Sequence, residues 1–338
     1  MNNKDRNKVL QIFAKIHQRV FHSSLPCMCT GCSEPSINSH LLQKNGILSK
    51  VFESGHMYEP RVANIFQDHH LHNPIDLKMV GVEQALSVHT FCKTHDEKLF
   101  GEIEKGNLDF NNYRHCLLLS YRTVCAEARR KEYEVEVYRR FLESNTIRQM
   151  SNERQLGYLK DTQYGYKLGQ RDLLYHVSQI EKELEQPENR YMFFHKDFPV
   201  SSVYCSTTLC IDTSFHANPE KTQRLFLMHV IPTEDRTHII LGLEKNDKND
   251  FAMSYFQELM STDDKTIEDY LTSLLIRNNG WGISPSVYKK LSKDKITQFF
   301  KLYEEDRTAF IPQRYENFNL FDGALLETYR EQCKESEP

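Results

Sequence analysis

The chain has 338 residues, enough for two or three domains, and its 39% hydrophobic and 27% charged content excludes global disorder. A formal net charge of −4 excludes nucleic-acid binding through bulk positive charge, leaving only a local basic surface for that role. No apolar run approaches the roughly 20 residues that span a bilayer. The polar, then amphipathic N-terminus lacks the apolar core of a secretion signal, so the expectation is a cytoplasmic protein without a membrane partner.

In chain order, residues 4–21 read as a helix, with Val9, Leu10, Phe13, Ile16 and Val20 on one stripe. The segment PCMCTGCSEPS breaks that pattern and carries three cysteines. A second helix is expected from Ser39 through Leu41, Leu42, Ile47, Leu48, Val51 and Phe52. Residues 55–90, rich in histidine, read as a long irregular excursion. Residues 91–106 read as a turn entering a helix that stops at Gly106. The strongest helical signal covers 111–143, and another long helix over 151–186 is expected to be interrupted at Gly165 and Gly169. From about residue 187 the character changes. Segment 200–213 is β-branched, and 224–245 reads as two strands joined at Pro232–Arg236. Residues 251–276 and 285–304 return to helix, with Ser284 as N-cap before Pro285.

The expected fold class is therefore α+β and mostly helical, with an N-terminal zinc treble clef and a small antiparallel sheet around 200–245. Three regions are drawn: 1–110 around the zinc, 111–186 as long helices, and 187–338 as an α+β part.

Nine cysteines are many for a cytosolic chain, and without a secretion signal they point away from a disulfide framework. Four fall within the first 92 residues, which points to a metal. Zinc takes four soft or borderline ligands in a tetrahedron, and two short paired motifs supply them. Cys29-x2-Cys32 lies in a Gly-containing turn, as in a zinc knuckle. Cys92-x2-His95 lies at a helix start, where the N-terminal dipole favours a thiolate. Together they suggest the treble-clef arrangement. Cys27 is an alternative to Cys29, with the wider Cys27-x4-Cys32 spacing.

With Ser39-His40 eight residues after Cys32, the knuckle and the later Cys/His pair resemble zinc-stabilised HNH (ββα-metal) nucleases over residues 27–105. The resemblance implies a metal-dependent nuclease hydrolysing phosphodiester bonds in DNA or RNA, in a setting such as bacterial antiviral defence. It implies His40 as general base, with Asp96 and Glu104 as oxygen ligands for a catalytic magnesium or manganese ion. The chain departs from that pattern in the long insertion between His40 and Cys92.

Two readings stand beside it. One is a non-catalytic zinc-stabilised module that binds nucleic acid or a protein. The other is a small-molecule-sensing effector using residues 187–320. Arg114, Arg122, Arg129, Arg130, Lys131, Arg139 and Arg140 form a basic ridge that suits phosphates or, with the interleaved glutamates, a salt-bridged solvent face. His69, His70 and His72 are a further metal-capable group, and Trp281 between two glycines suits either a contact loop or a core anchor. Walker, GxGxxG and GxSxG motifs are missing.

Overall fold

The computed structural model describes residues 3–42, 46–62, 75–105, 108–200, 202–210, 221–234, 236–245, 250–308 and 317–335. Helix α1 (Asn3–Phe21) leads into the cysteine-rich segment and then strand β1 (Asn38–His40). Strands β2 (His56–Val62) and β3 (Ile75–Gly81) form an antiparallel hairpin, and β4 (Ser87–His89) returns to pair with β1. Helix α2 (Lys93–Lys105) follows at once.

The helix expected from Ser39 is absent. Asn38, Ser39 and His40 instead pair with His89, Val88 and Ser87, and only a 3-10 turn, Leu48–Lys50, remains of it. The apolar residues that suggested a helix are buried all the same, Leu41, Leu42, Leu48 and Val51 all lying in the core. The excursion expected over 55–90 is largely strand among its described residues, and His69, His70 and His72 lie outside them.

Helix α3 (Tyr113–Glu143) starts where the Asn112 side chain accepts from the N–H groups of Arg114 and His115, satisfying two orphan donors of the first turn. A short helix α4 (Asn145–Met150) turns the chain into α5 (Glu153–Glu185), which opens on a capping box of Asn152 and Gln155. α5 runs unbroken through Gly165 and Gly169. The cost of a helical glycine, about 1 kcal/mol each, is small against packing along the whole of α3. The two helices are antiparallel, since Tyr113 meets Glu183 while Gln163 meets Val135. α1 lies on the far end of α3, with Phe13 edge-on to Phe141 and Phe21 beside Tyr133.

The sheet extends well beyond 200–245. Strands β5 (Tyr191–Phe198), β6 (Val203–Cys210), β7 (Leu225–Pro232), β8 (Thr237–Glu244) and β9 (Trp281–Ile283) join β2 and β3 in one antiparallel sheet of order β3-β2-β9-β6-β7-β8-β5. Helices α6 (Asp250–Ser261), α7 (Ile267–Leu275), α8 (Pro285–Lys290), α9 (Lys293–Thr308) and α10 (Ala324–Glu335) complete the chain. On β7, Leu225, Leu227 and Ile231 face the core shared with α3. Phe226, Met228 and Val230 face the core built with the C-terminal helices. Covering both faces explains why β7 reads as a continuous apolar run rather than an alternating one.

Trp281 and Gly282 are strand, not loop. Trp281 is fully buried and its indole N–H reaches the Asn278 carbonyl. A Cβ at Gly282 would lie 2.5 Å from the Met57 methyl and 2.9 Å from the Tyr58 carbonyl, so only glycine fits between β2 and β6. Ser284 caps α8 as expected, accepting from the Val287 N–H. The buried Glu268 carboxylate accepts from the N–H groups of Leu325 and Leu326 at the start of α10, where the helix dipole favours an anion.

One buried polar chain joins α3 to the sheet. His229 is fully buried, its Nδ1 3.0 Å from Ser206 Oγ and its Nε2 3.2 Å from Ser120 Oγ. Ser120 gives its own proton to the Cys116 carbonyl, so its oxygen accepts from Nε2–H. Burial lowers the His229 pKa to about 3. Between that value and the usual ~6.5 the unfolded chain holds a proton that the folded chain excludes. The stability contributed by the neutral ring is therefore full above pH ~6.5 and is lost as pH falls towards 3. In urea unfolding, wild type should lose about 2 kcal/mol more between pH 7 and pH 5 than His229→Gln does. Equal losses would contradict the buried neutral imidazole.

Candidate metal centre

The cysteine-rich segment folds back on itself. Pro26 bridges to Pro35, the Cys27 N–H donates to the Glu34 carbonyl at 2.8 Å, and the Cys32 N–H donates to the Cys29 carbonyl at 3.1 Å. Gly31 takes the left-handed conformation, φ 79°, that this turn requires. Met28 N–H bonds the Thr90 carbonyl and Ile37 N–H bonds the Phe91 carbonyl, which lays the loop beside the approach to α2. Cys92 sits at the start of that helix, its carbonyl accepting from Asp96 N–H, with His95 in the first turn.

This construction brings Cys27, Cys32, Cys92 and His95 together, with one ligand atom of each within 4.8 Å of all the others. His95 Nδ1 lies 3.4 Å from Cys27 Sγ and 3.3 Å from Cys92 Sγ, and the Cys32 and Cys92 sulfurs are 4.0 Å apart. A tetrahedral ion with bonds of about 2.3 Å to sulfur and 2.0 Å to nitrogen would set those separations near ~3.6 and ~3.8 Å. The three sulfurs and one imidazole can thus hold a metal ion such as zinc.

The cluster takes Cys27 and leaves Cys29 outside, a correction to the favoured Cys29-x2-Cys32 pairing. Cys29 opens the tight turn that ends at Cys32, and its side chain points at the α3–α5 hairpin, beside Tyr121 and Glu181. Burial pushes the Cys29 thiol up to about 12, helped by the negative charge of Cys27 and Glu181. Burial alone would also raise Cys27, but the N–H groups of Cys92 and Cys29 and the Cys32 and Cys92 side chains bring it below its ordinary value.

Hydrogen bonds that no local pattern announces fix the loop from behind. Arg129 of α3, 3% exposed, donates to the Pro26 carbonyl at 2.5 Å. Glu181 of α5 accepts from Thr30 Oγ1 at 2.8 Å with one oxygen and from Tyr121 Oη at 2.6 Å with the other. The sequence reading missed Glu181 and placed Arg129 only in the basic ridge. Their only signal is a charged residue placed where its helix turns inward.

The residues assigned to catalysis have other partners. His40 ends β1, and its Nε2 meets the Val82 carbonyl at 2.8 Å. Asp96 and Glu104 both meet Arg122, whose Nη2 lies 3.4 Å from Asp96 and 2.8 Å from Glu104. Arg122 is 2% exposed, with its guanidinium 3.9 Å above the Phe100 ring. A buried cation of the protein's own therefore stands where a divalent ion was expected. The other arginines of the ridge are also paired, Arg114 with Glu102, Arg129 with Glu132, Arg130 with Glu127, and Arg139 and Arg140 with Glu136, while Lys131 lies over the Tyr166 ring. In the C-terminal half an open cleft of about 490 Å³ is lined by Lys196, Asp197, Arg236, Asp263, Asp264 and Lys265. Its Lys196 already serves two carbonyls and its Arg236 pairs with Asp197. No helix among the described residues is long and apolar enough to cross a membrane.

Comparison with protein-family models, curated proteins and solved structures gives no match.

Arg122→Met removes the buried cation that meets both Asp96 and Glu104, two partly buried carboxylates. Breaking a buried pair in this way costs about 3–5 kcal/mol, and less where, as here, the acids keep some solvent. Urea unfolding should register a loss of about 2–4 kcal/mol, and a loss below about 0.5 kcal/mol would contradict the role given to the guanidinium.

Proposed function

We propose that this chain is a zinc-stabilised, non-catalytic module that works by binding a protein partner. In this reading Cys27, Cys32, Cys92 and His95 hold one structural zinc ion. The loop 27–32, the β1–β4 pair and α2 together form a treble clef of HNH-like ββα order. The Cys3His cluster is the observation that carries the zinc reading, because three sulfurs and an imidazole form a closed tetrahedral ligand set of the kind structural zinc prefers.

One observation favours binding over cleavage: the Asp96 and Glu104 carboxylates are both paired with the buried Arg122 guanidinium. A protein partner is favoured over nucleic acid because the α3 arginines are spent on glutamates within the molecule. Four of the seven exposed large apolar side chains among the described residues, Tyr158, Tyr164, Leu174 and Tyr175, lie on α5. Aromatic and apolar surface of this kind suits a protein interface.

Elemental analysis of the purified chain should find about one zinc per molecule, bound through the four ligands named. Incubation with plasmid DNA or with RNA, in magnesium or manganese, should give no cleavage above a blank. Cleavage that disappears in His40→Ala while zinc is retained would overturn the binding reading and restore the nuclease one.

A further inference from the structure

Two thiols compete for one place in the knuckle, and ligand chemistry alone does not choose between Cys27 and Cys29. We propose that Glu181, acting through Thr30, is the positioning residue that makes the choice, holding Cys29 against the α3–α5 hairpin so that Cys27 faces the metal. The proposal rests on the zinc reading above and names how that site selects its ligands.

Pro26 immediately precedes Cys27, and its carbonyl is held at 2.5 Å by the buried Arg129. Thr30 immediately follows Cys29, and its hydroxyl is held at 2.8 Å by Glu181. Glu181 is itself fixed, because its other oxygen accepts from the hydroxyl of Tyr121, a side chain 1% exposed whose ring packs 5.7 Å from Phe91, the residue before Cys92. The five residues from Pro26 to Thr30 that carry both thiols are thus pinned at each end to the same pair of helices. Bringing Cys29 to the metal means rotating this loop, and the rotation breaks the Thr30–Glu181 bond. Thr30 is exposed and is not one of the four cluster residues, and its hydroxyl bonds Glu181, so Thr30→Val removes that bond without removing a ligand.

Cobalt(II) in place of zinc reports how many thiolates bind, through the intensity of its sulfur-to-cobalt charge-transfer band. Wild type and Cys29→Ser should each register three thiolates, and Cys27→Ser two. In Cys27→Ser/Thr30→Val and Cys27→Ser/Glu181→Gln the third thiolate should return as the released loop admits Cys29, and Cys29→Ser added to either should remove it again. Three thiolates in Cys27→Ser alone, or two in both double variants, would overturn the proposal, as would two in Cys29→Ser. A wild-type protein with no such band would instead overturn the zinc reading beneath it. Should Cys27→Ser fail to fold, the wild-type background decides. Thr30→Val should then speed zinc transfer to a chromophoric chelator about fivefold, the equivalent of one hydrogen bond, and an unchanged rate would overturn the proposal.

Discussion

The N-terminal third of the molecule is organised by a convergence of lone pairs. Cys27 and Cys32 come from one loop, and Cys92 and His95 from a helix start some 60 residues later, yet their ligand atoms lie within 4.8 Å of one another. Thiolates so close repel one another unless a cation lies between them, and a tetrahedral ion turns that repulsion into a bond between the two segments. In the zinc reading that junction ties the loop to the start of α2, beside the β1–β4 pair and the Arg129 and Glu181 side chains that hold the loop from behind.

A second constraint lies one helical layer deeper. Arg122 is buried between α2 and α3 with two carboxylates and an aromatic face around it, and burying a charge is tolerable only when it is so surrounded. The acids that resemble metal ligands in sequence are therefore structural partners of an arginine. In the binding reading proposed above, a guanidinium of single charge occupies the corner where a nuclease would hold a divalent Lewis acid.

What was legible in the sequence follows from range. Cys32, Cys92 and His95 announce themselves by short spacing, and the long α3 and α5 by sustained periodicity. The β7–β8 hairpin shows itself through its turn, where Thr233 N–H does bond the Arg236 carbonyl. The failures all involve distant partners. Residues 38–40 looked like a helix start because their strand partner lies at 87–89, and Trp281 looked like a loop because both neighbouring strands come from far along the chain. Cys29 looked better than Cys27 because CxxC is the commoner spacing, whereas the decision rests on Arg129 and Glu181, more than a hundred residues away.

Zinc K-edge X-ray absorption on the metal-loaded chain tests the central claim most directly. The account expects a first shell of three sulfurs at about 2.3 Å and one imidazole nitrogen at about 2.0 Å, unchanged in Cys29→Ser. A shell of oxygen and nitrogen, or one that loses a sulfur when Cys29 is replaced, would contradict it.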